Sequence, residues 1–362
     1  MAATERGAGQ GAAARAARYV ARVLLVALAL LPLYLAVTAA LQRARERPFY
    51  PTGGYVYQLA WSPDGTRLAV SERFDRTVGV LDLVRGKMLW QRDKEIFGEQ
   101  AIAFSPDGRF VVTPPVSAER AYNGTALDLL DAASGKLVHE IPTLQTYHTA
   151  EGSIGRGFAF TADGRFLVVS PEYGLGDPVG IYSAKTWKAV RRISAARQMF
   201  SPIAVSRDGL LAADWWPQEI ALFDIASGNL VRTFPTKSYL IMTRLAFSPD
   251  GRYLVSAAFS TDDSGAEPEP LRVYRVADGA MVRAQRVYSG WYTNALAWSA
   301  DGRYIAWASA EAGAFLWDLE RPDPAVRIRG LKGQCWAVAF SPDGRRLAIG
   351  TASGILVMPI GP

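Results

Sequence analysis

The chain has 362 residues, 49% of them hydrophobic and 20% charged, with 40 Lys+Arg against 34 Asp+Glu, two histidines and one cysteine. This apolar share excludes a disordered chain, and a lone Cys335 excludes an intramolecular disulfide or a cysteine-built zinc site. Of the net charge of +6, +5 sits in residues 1–47, where seven arginines face two acids; the remainder is near neutral, which leaves no electrostatic footprint for nucleic acid.

Residues 1–18 are rich in Ala, Gly and Arg and are expected to be a disordered basic tail. Residues 23–41 read VLLVALALLPLYLAVTAAL, nineteen in a row without a charge. At 1.5 Å per residue this spans about 28 Å, close to the hydrocarbon thickness of a bilayer. The expectation is a transmembrane helix over 19–42, or an uncleaved signal anchor. A cleaved signal peptide, with small residues at 37–40, is the competing reading. A buried core helix would show a polar face, which this segment lacks. Arginines flank it on both sides, so the positive-inside comparison does not set orientation. A single N-terminal anchor behind a positive tail, in an Ala/Arg/Gly-rich chain, points to a periplasmic or other extracytoplasmic location for residues 43–362.

Beyond the anchor a short motif recurs seven times: WSPDG at 61–65, FSPDG at 104–108, FTADG at 160–164, VSRDG at 205–209, FSPDG at 247–251, WSADG at 298–302 and FSPDG at 340–344. The aspartates Asp64, Asp107, Asp163, Asp208, Asp250, Asp301 and Asp343 are spaced 43, 56, 45, 42, 51 and 42 residues apart. Asp-Gly predicts a tight turn, because Gly accepts positive φ and Asp bonds its own backbone. Three apolar residues precede each turn, and the middle one is always alanine: Ala60, Ala103, Ala159, Ala204, Ala246, Ala297 and Ala339. A small residue at a fixed position predicts a close approach on that face. A second apolar run follows the turn, then a third strand ending in turns such as Arg85-Gly86-Lys87 and Ser134-Gly135-Lys136, then a weaker fourth strand. Four antiparallel strands per unit of about 40–45 residues is a propeller blade. The predicted fold class is therefore all-β, a seven-bladed β-propeller over 43–362 with four-stranded antiparallel blades, preceded by one N-terminal transmembrane helix.

The apolar strand, Ser-Pro-Asp-Gly-Arg turn, second strand and aromatic-Asp strand followed by Ser-Gly-Lys resemble the WD40 repeat, from about Tyr55 onward. Trp-Asp itself occurs once, at Trp317-Asp318, and the family's Gly-His pair is missing, its nearest remnant being Gly333-Gln334. The copies also resemble divergent bacterial propellers of the TolB type. The resemblance implies a protein-binding scaffold without catalysis or cofactor.

The seventh unit ends after its third strand, and an open edge would expose unpaired backbone groups. The stretch around 47–52 is expected to supply the missing strand and, through a linker of six residues, to hold the ring near the membrane. Connections between fourth and first strands, and between second and third, share one face. The long spacings place insertions there, at 114–124, 143–156 and 260–270, with a shorter one at 171–178. The same face is expected to carry Tyr55, Tyr57, Phe97, Tyr147, His148, Phe200, Tyr239, Trp291, Tyr292 and Trp336. These rings either bind a partner or fill space between blades in place of the family's histidine network.

Catalysis and metal binding have little support. His139 falls on an outer strand and His148 in an insertion, with no nucleophile at a defined spacing. Asp262, Asp263, Glu267 and Glu269 lack the spacing of a calcium loop. The expectation is a protein partner, a membrane contact through the N-terminal helix, no nucleic acid, no metal and no cofactor, with the small-molecule ligand unknown. The alternative is a propeller enzyme, hydrolase- or lactonase-like or cofactor-dependent, with carboxylates or a metal at the channel mouth.

Overall fold

The computed structural model describes residues 49–72, 77–93, 101–115, 126–142, 157–170, 179–194, 199–215, 219–235, 240–260, 271–285, 293–331 and 334–360. Residues 49–362 form one compact unit. The tail and span expected over 1–42 lie outside the described residues, among which no helix is long and apolar enough to cross a membrane.

The unit holds seven four-stranded antiparallel sheets, each built from four consecutive strands except the last. The blades cover 56–93, 103–142, 158–193, 199–235, 240–285 and 295–327, with a seventh at 335–359 completed by Phe49–Pro51. That short strand lies antiparallel to Gly354–Pro359, with Phe49 opposite Leu356, Tyr50 opposite Ile355 and Pro51 opposite Gly354. The N-terminal end of the unit thus supplies the fourth strand of the last blade, as the unpaired edge required. The first strands touch one another in succession around the ring, and Cys335–Phe340 of blade 7 meets Val56–Trp61 of blade 1.

Apolar residues cover both faces of the inner strands because every blade is sandwiched between two others. The buried side chains accordingly sort into seven clusters, one at each boundary between blades. Val70 packs toward blade 7, whereas its neighbour Ala69 packs toward blade 2. The invariant alanines find their reason here. Ala60, Ala204, Ala246, Ala297 and Ala339 each enter the cluster shared with the following blade, on the strands that converge at the ring centre. Radiating sheets leave least room there, and a longer side chain would wedge the blades apart.

The Asp-Gly turns are closed by a residue that Asp-Gly alone does not reveal. Ser62 is fully buried; its hydroxyl donates to Asp64 Oδ1 at 2.6 Å and accepts the Arg67 N–H at 2.9 Å. Asp64 Oδ1 also accepts the Thr66 N–H, and the Gly65 N–H closes on the Ser62 carbonyl at 2.8 Å with φ at +68°. Ser105, Thr161, Ser248, Ser299 and Ser341 repeat this arrangement with Asp107, Asp163, Asp250, Asp301 and Asp343. Blade 4 has a hairpin one residue shorter, so Ser206 Oγ accepts the N–H of Leu210 four residues on.

Candidate functional site

Alternation of strands puts the first-to-second and third-to-fourth turns on one face and the other two kinds of connection on the opposite face. Of the residues expected on that opposite face, Phe97, Tyr147, His148, Tyr239, Trp291 and Tyr292 lie outside the described residues, as do the insertions expected at 143–156 and 171–178 and nearly all of those at 114–124 and 260–270. Phe200 lies on the strand Met199–Val205, and its side chain is not among those described.

The three remaining rings come together. Trp336, at the start of blade 7, lies with its centroid 5.3 Å from that of Tyr57 and 6.3 Å from that of Tyr55, edge-on to the latter. Tyr57 is buried, and Tyr55 and Trp336 are half-buried. The trio therefore bridges the boundary where the ring closes, with Tyr55 and Trp336 keeping part of their surface exposed. Four ionisable side chains are also buried near the loop-face ends of second and third strands: Glu72, Asp128, Asp214 and Arg272. They belong to blades 1, 2, 4 and 5, and no cluster of three or more metal-ligating side chains exists among the described residues. Cys335 is buried, and that burial pushes its thiol up to about 11, leaving it protonated and unreactive at neutral pH.

On the turn face, six of the seven motif aspartates, all but Asp208, accept the hydroxyl of their turn's serine or threonine. Asp163 is held down to about 2, first by the Thr161 hydroxyl and then by the Arg165 N–H, with the Arg165 guanidinium adding to both. Asp343 is lowered in the same way by Ser341 and the Arg345 N–H. Carboxylates so committed cap turns and are poorly suited to proton transfer.

Two features on this face escaped the repeat pattern. First, the motif proline spaces the blades: a Cβ on Gly108 would lie 3.4 Å from Pro63, and one on Gly164 3.1 Å from Pro106. Second, an arginine just after the turn bridges two boundaries. Arg67 Nη2 donates to the Gly108 carbonyl at 3.1 Å with its guanidinium over Phe104, and Arg346 Nη2 donates to the Gly65 carbonyl at 2.7 Å over Trp61. The signal was present as Arg-Leu-Ala in both units, but only adjacency in the ring gives it meaning. The lone Trp-Asp pair is also structural: Arg303 holds Asp318 through two hydrogen bonds, at 3.0 and 2.7 Å, keeping its carboxyl below the usual range.

The family model for the WD domain, G-beta repeat, matches residues 48–82, 228–264 and 325–358. No curated protein matches the sequence. Among solved structures, a chain of Kuenenia stuttgartiensis hydrazine synthase is similar, with a TM-score of 0.69 at 17% identity over 86% of this chain and 97% of that one. At that identity the likeness speaks for the fold alone. With seven four-stranded blades closed into a ring and three stretches that match the WD40 repeat model, the chain is a seven-bladed β-propeller with WD40-like repeats.

Proposed function

We propose that the chain is a membrane-tethered, non-catalytic scaffold that binds protein on the loop face of its propeller, outside the cytoplasm. The observation that carries this is the placement of every long insertion in connections that share one face of a ring, the usual place for binding to evolve on a rigid scaffold. WD40 propellers commonly bind proteins, and Tyr55 and Trp336, packed on the buried Tyr57, supply aromatic surface suited to such contact. The apolar stretch 23–41 supports the tether.

The test places a photo-crosslinking amino acid at the exposed Gln334, next to this cluster, and at the exposed Val231 on an outer strand, in the full chain in its native membrane. A discrete adduct from 334 and none from 231 is expected; equal behaviour at both positions overturns the binding face. Release of the protein by a carbonate wash overturns the tether, and a C-terminal reporter active only in the cytoplasm overturns the orientation.

A second reading, a propeller enzyme, draws on the buried Glu72, Asp128, Asp214 and Arg272. Stoichiometric metal in the purified full-length protein would favour it.

A further inference from the structure

The turn face holds a groove between blades 2 and 3 of about 320 Å³, lined by Pro106, Asp107, Phe110, Asp163, Gly164 and Trp187 among others. Its equivalents at two other boundaries, between blades 1 and 2 and between blades 7 and 1, show what such a groove accepts. Between blades 1 and 2 the guanidinium of Arg67 lies over Phe104, 5.5 Å from its centroid, and donates to the carbonyl of the next blade's turn glycine, Gly108. Between blades 7 and 1, Arg346 does the same with Trp61, at 4.7 Å, and Gly65. Blade 2 carries Phe110 at the position of Arg67, while the receiving parts persist in blade 3: Phe160 stands where Phe104 does, and Gly164 where Gly108 does. The groove keeps the acceptor end of the arrangement with Phe110 in place of the bridging arginine, and the preceding Arg109 lays its guanidinium over Phe110 at 5.3 Å from the centroid.

Two further features distinguish it. Asp107 and Asp163 line it from either side; Asp163 is already paired with the Arg165 guanidinium at 2.5 Å, so the negative charge that an entering cation meets is chiefly that of Asp107. Trp187 also lines it, edge-on to Phe110 at 6.2 Å and to Phe160 at 6.3 Å. Trp187 has φ at +58°, the one positive value at a non-glycine among the described residues, in a turn where blades 1, 2, 4 and 5 place Gly86, Gly135, Gly228 and Gly279. A bulky residue in that conformation is strained, and the ring it supplies forms one wall of the groove. The corresponding cleft between blades 5 and 6 differs: the Trp298 indole already occupies the Gly302 carbonyl at 2.9 Å, and Arg252 and Arg283 line the cleft.

We infer that the groove between blades 2 and 3 is a binding site for an arginine side chain presented by a partner protein. The guanidinium would take the place that Arg67 and Arg346 fill elsewhere, donating to the Gly164 carbonyl and to Asp107 while lying against the Phe160 and Trp187 rings. The site is on the face opposite the proposed loop-face interface and does not depend on it.

The test uses the full-length protein in detergent and a fluorescein-labelled Ser-Gly-Arg-Gly-Ser peptide, read by anisotropy. Binding is expected to weaken at least tenfold when citrulline replaces arginine, which keeps shape and removes charge. Phe110→Arg restores the internal arginine of blades 1 and 7; it should fill the groove and weaken peptide binding at least tenfold with the melting temperature kept. Trp187→Gly, which restores the glycine of the other blades, should also fold and bind at least tenfold more weakly, and it serves if Phe110→Arg does not fold. Equal affinity for the citrulline peptide, or parental affinity in a folded variant, overturns the proposal. So does the absence of peptide binding to the parent at millimolar concentration.

Discussion

Arg346, just after the turn of the last blade, donates through Nη2 to the carbonyl of Gly65 in the first blade at 2.7 Å, across 281 positions of sequence. Its guanidinium lies over Trp61, whose indole N–H in turn reaches back to the Ala339 carbonyl at 2.9 Å. The two ends of the ring are therefore tied by a reciprocal pair of contacts. Arg346→Ala should lower stability by about 1–2 kcal/mol, since it removes a charge-assisted hydrogen bond and a cation–π contact. Arg67→Ala, with the longer 3.1 Å bond, should lower it less. Urea unfolding of both variants checks the order.

The strand Phe49–Pro51 closes blade 7 by main-chain pairing with Gly354–Pro359, and Tyr50 Oη adds a long hydrogen bond to the Leu83 carbonyl of blade 1. Deleting 47–52 uncovers a sheet edge and part of the cluster shared by blades 7 and 1. The truncated chain is expected to lose its single sharp thermal transition; calorimetry showing a melt as cooperative as the parent's would contradict this role.

Ala204 is buried in the cluster shared by blades 4 and 5. Ala204→Leu should destabilise by about 1–3 kcal/mol through overpacking where the inner strands converge. Val231, exposed on the outer strand Leu230–Pro235, should accept leucine within about 0.5 kcal/mol. Denaturant midpoints of the two variants test the contrast.

Asp163 is held down to about 2, first by the Thr161 hydroxyl and then by the Arg165 N–H. A carboxyl whose folded pKa lies below its unfolded value of about 3.9 stabilises the fold above that value, and the contribution disappears as pH falls toward 2. Asp343, Asp131 and Asp224 are also lowered, each with a serine hydroxyl as the leading cause, so their losses fall on the same acid limb. Thr161→Val should flatten that limb while also lowering stability at neutral pH. Melting temperatures from pH 6 to pH 2 give the comparison.

The blade count, the strand order within a blade and the need for a borrowed strand were legible in the chain, because each follows from local periodicity. Asp-Gly at seven regular intervals marks seven hairpins, and a last unit with three strands leaves an edge that the segment before Tyr55 must cover. The turn serine was visible in the motif, but its burial, and hence its place at the centre of each turn's hydrogen bonds, was not.

What the tertiary structure alone decided lies between units. Pro63 against Gly108, Arg346 on Gly65 and Trp187 beside Phe110 are contacts between repeats about forty or more residues apart in sequence. Period reports what each blade contains; adjacency in a closed ring decides which side chain meets which. Charge divides in the same way at a larger scale: composition located +5 of the +6 in residues 1–47 and left the propeller near neutral. Only the folded ring shows that its arginines fill some boundaries between blades while a groove lined by Asp107 and Asp163 is left at another.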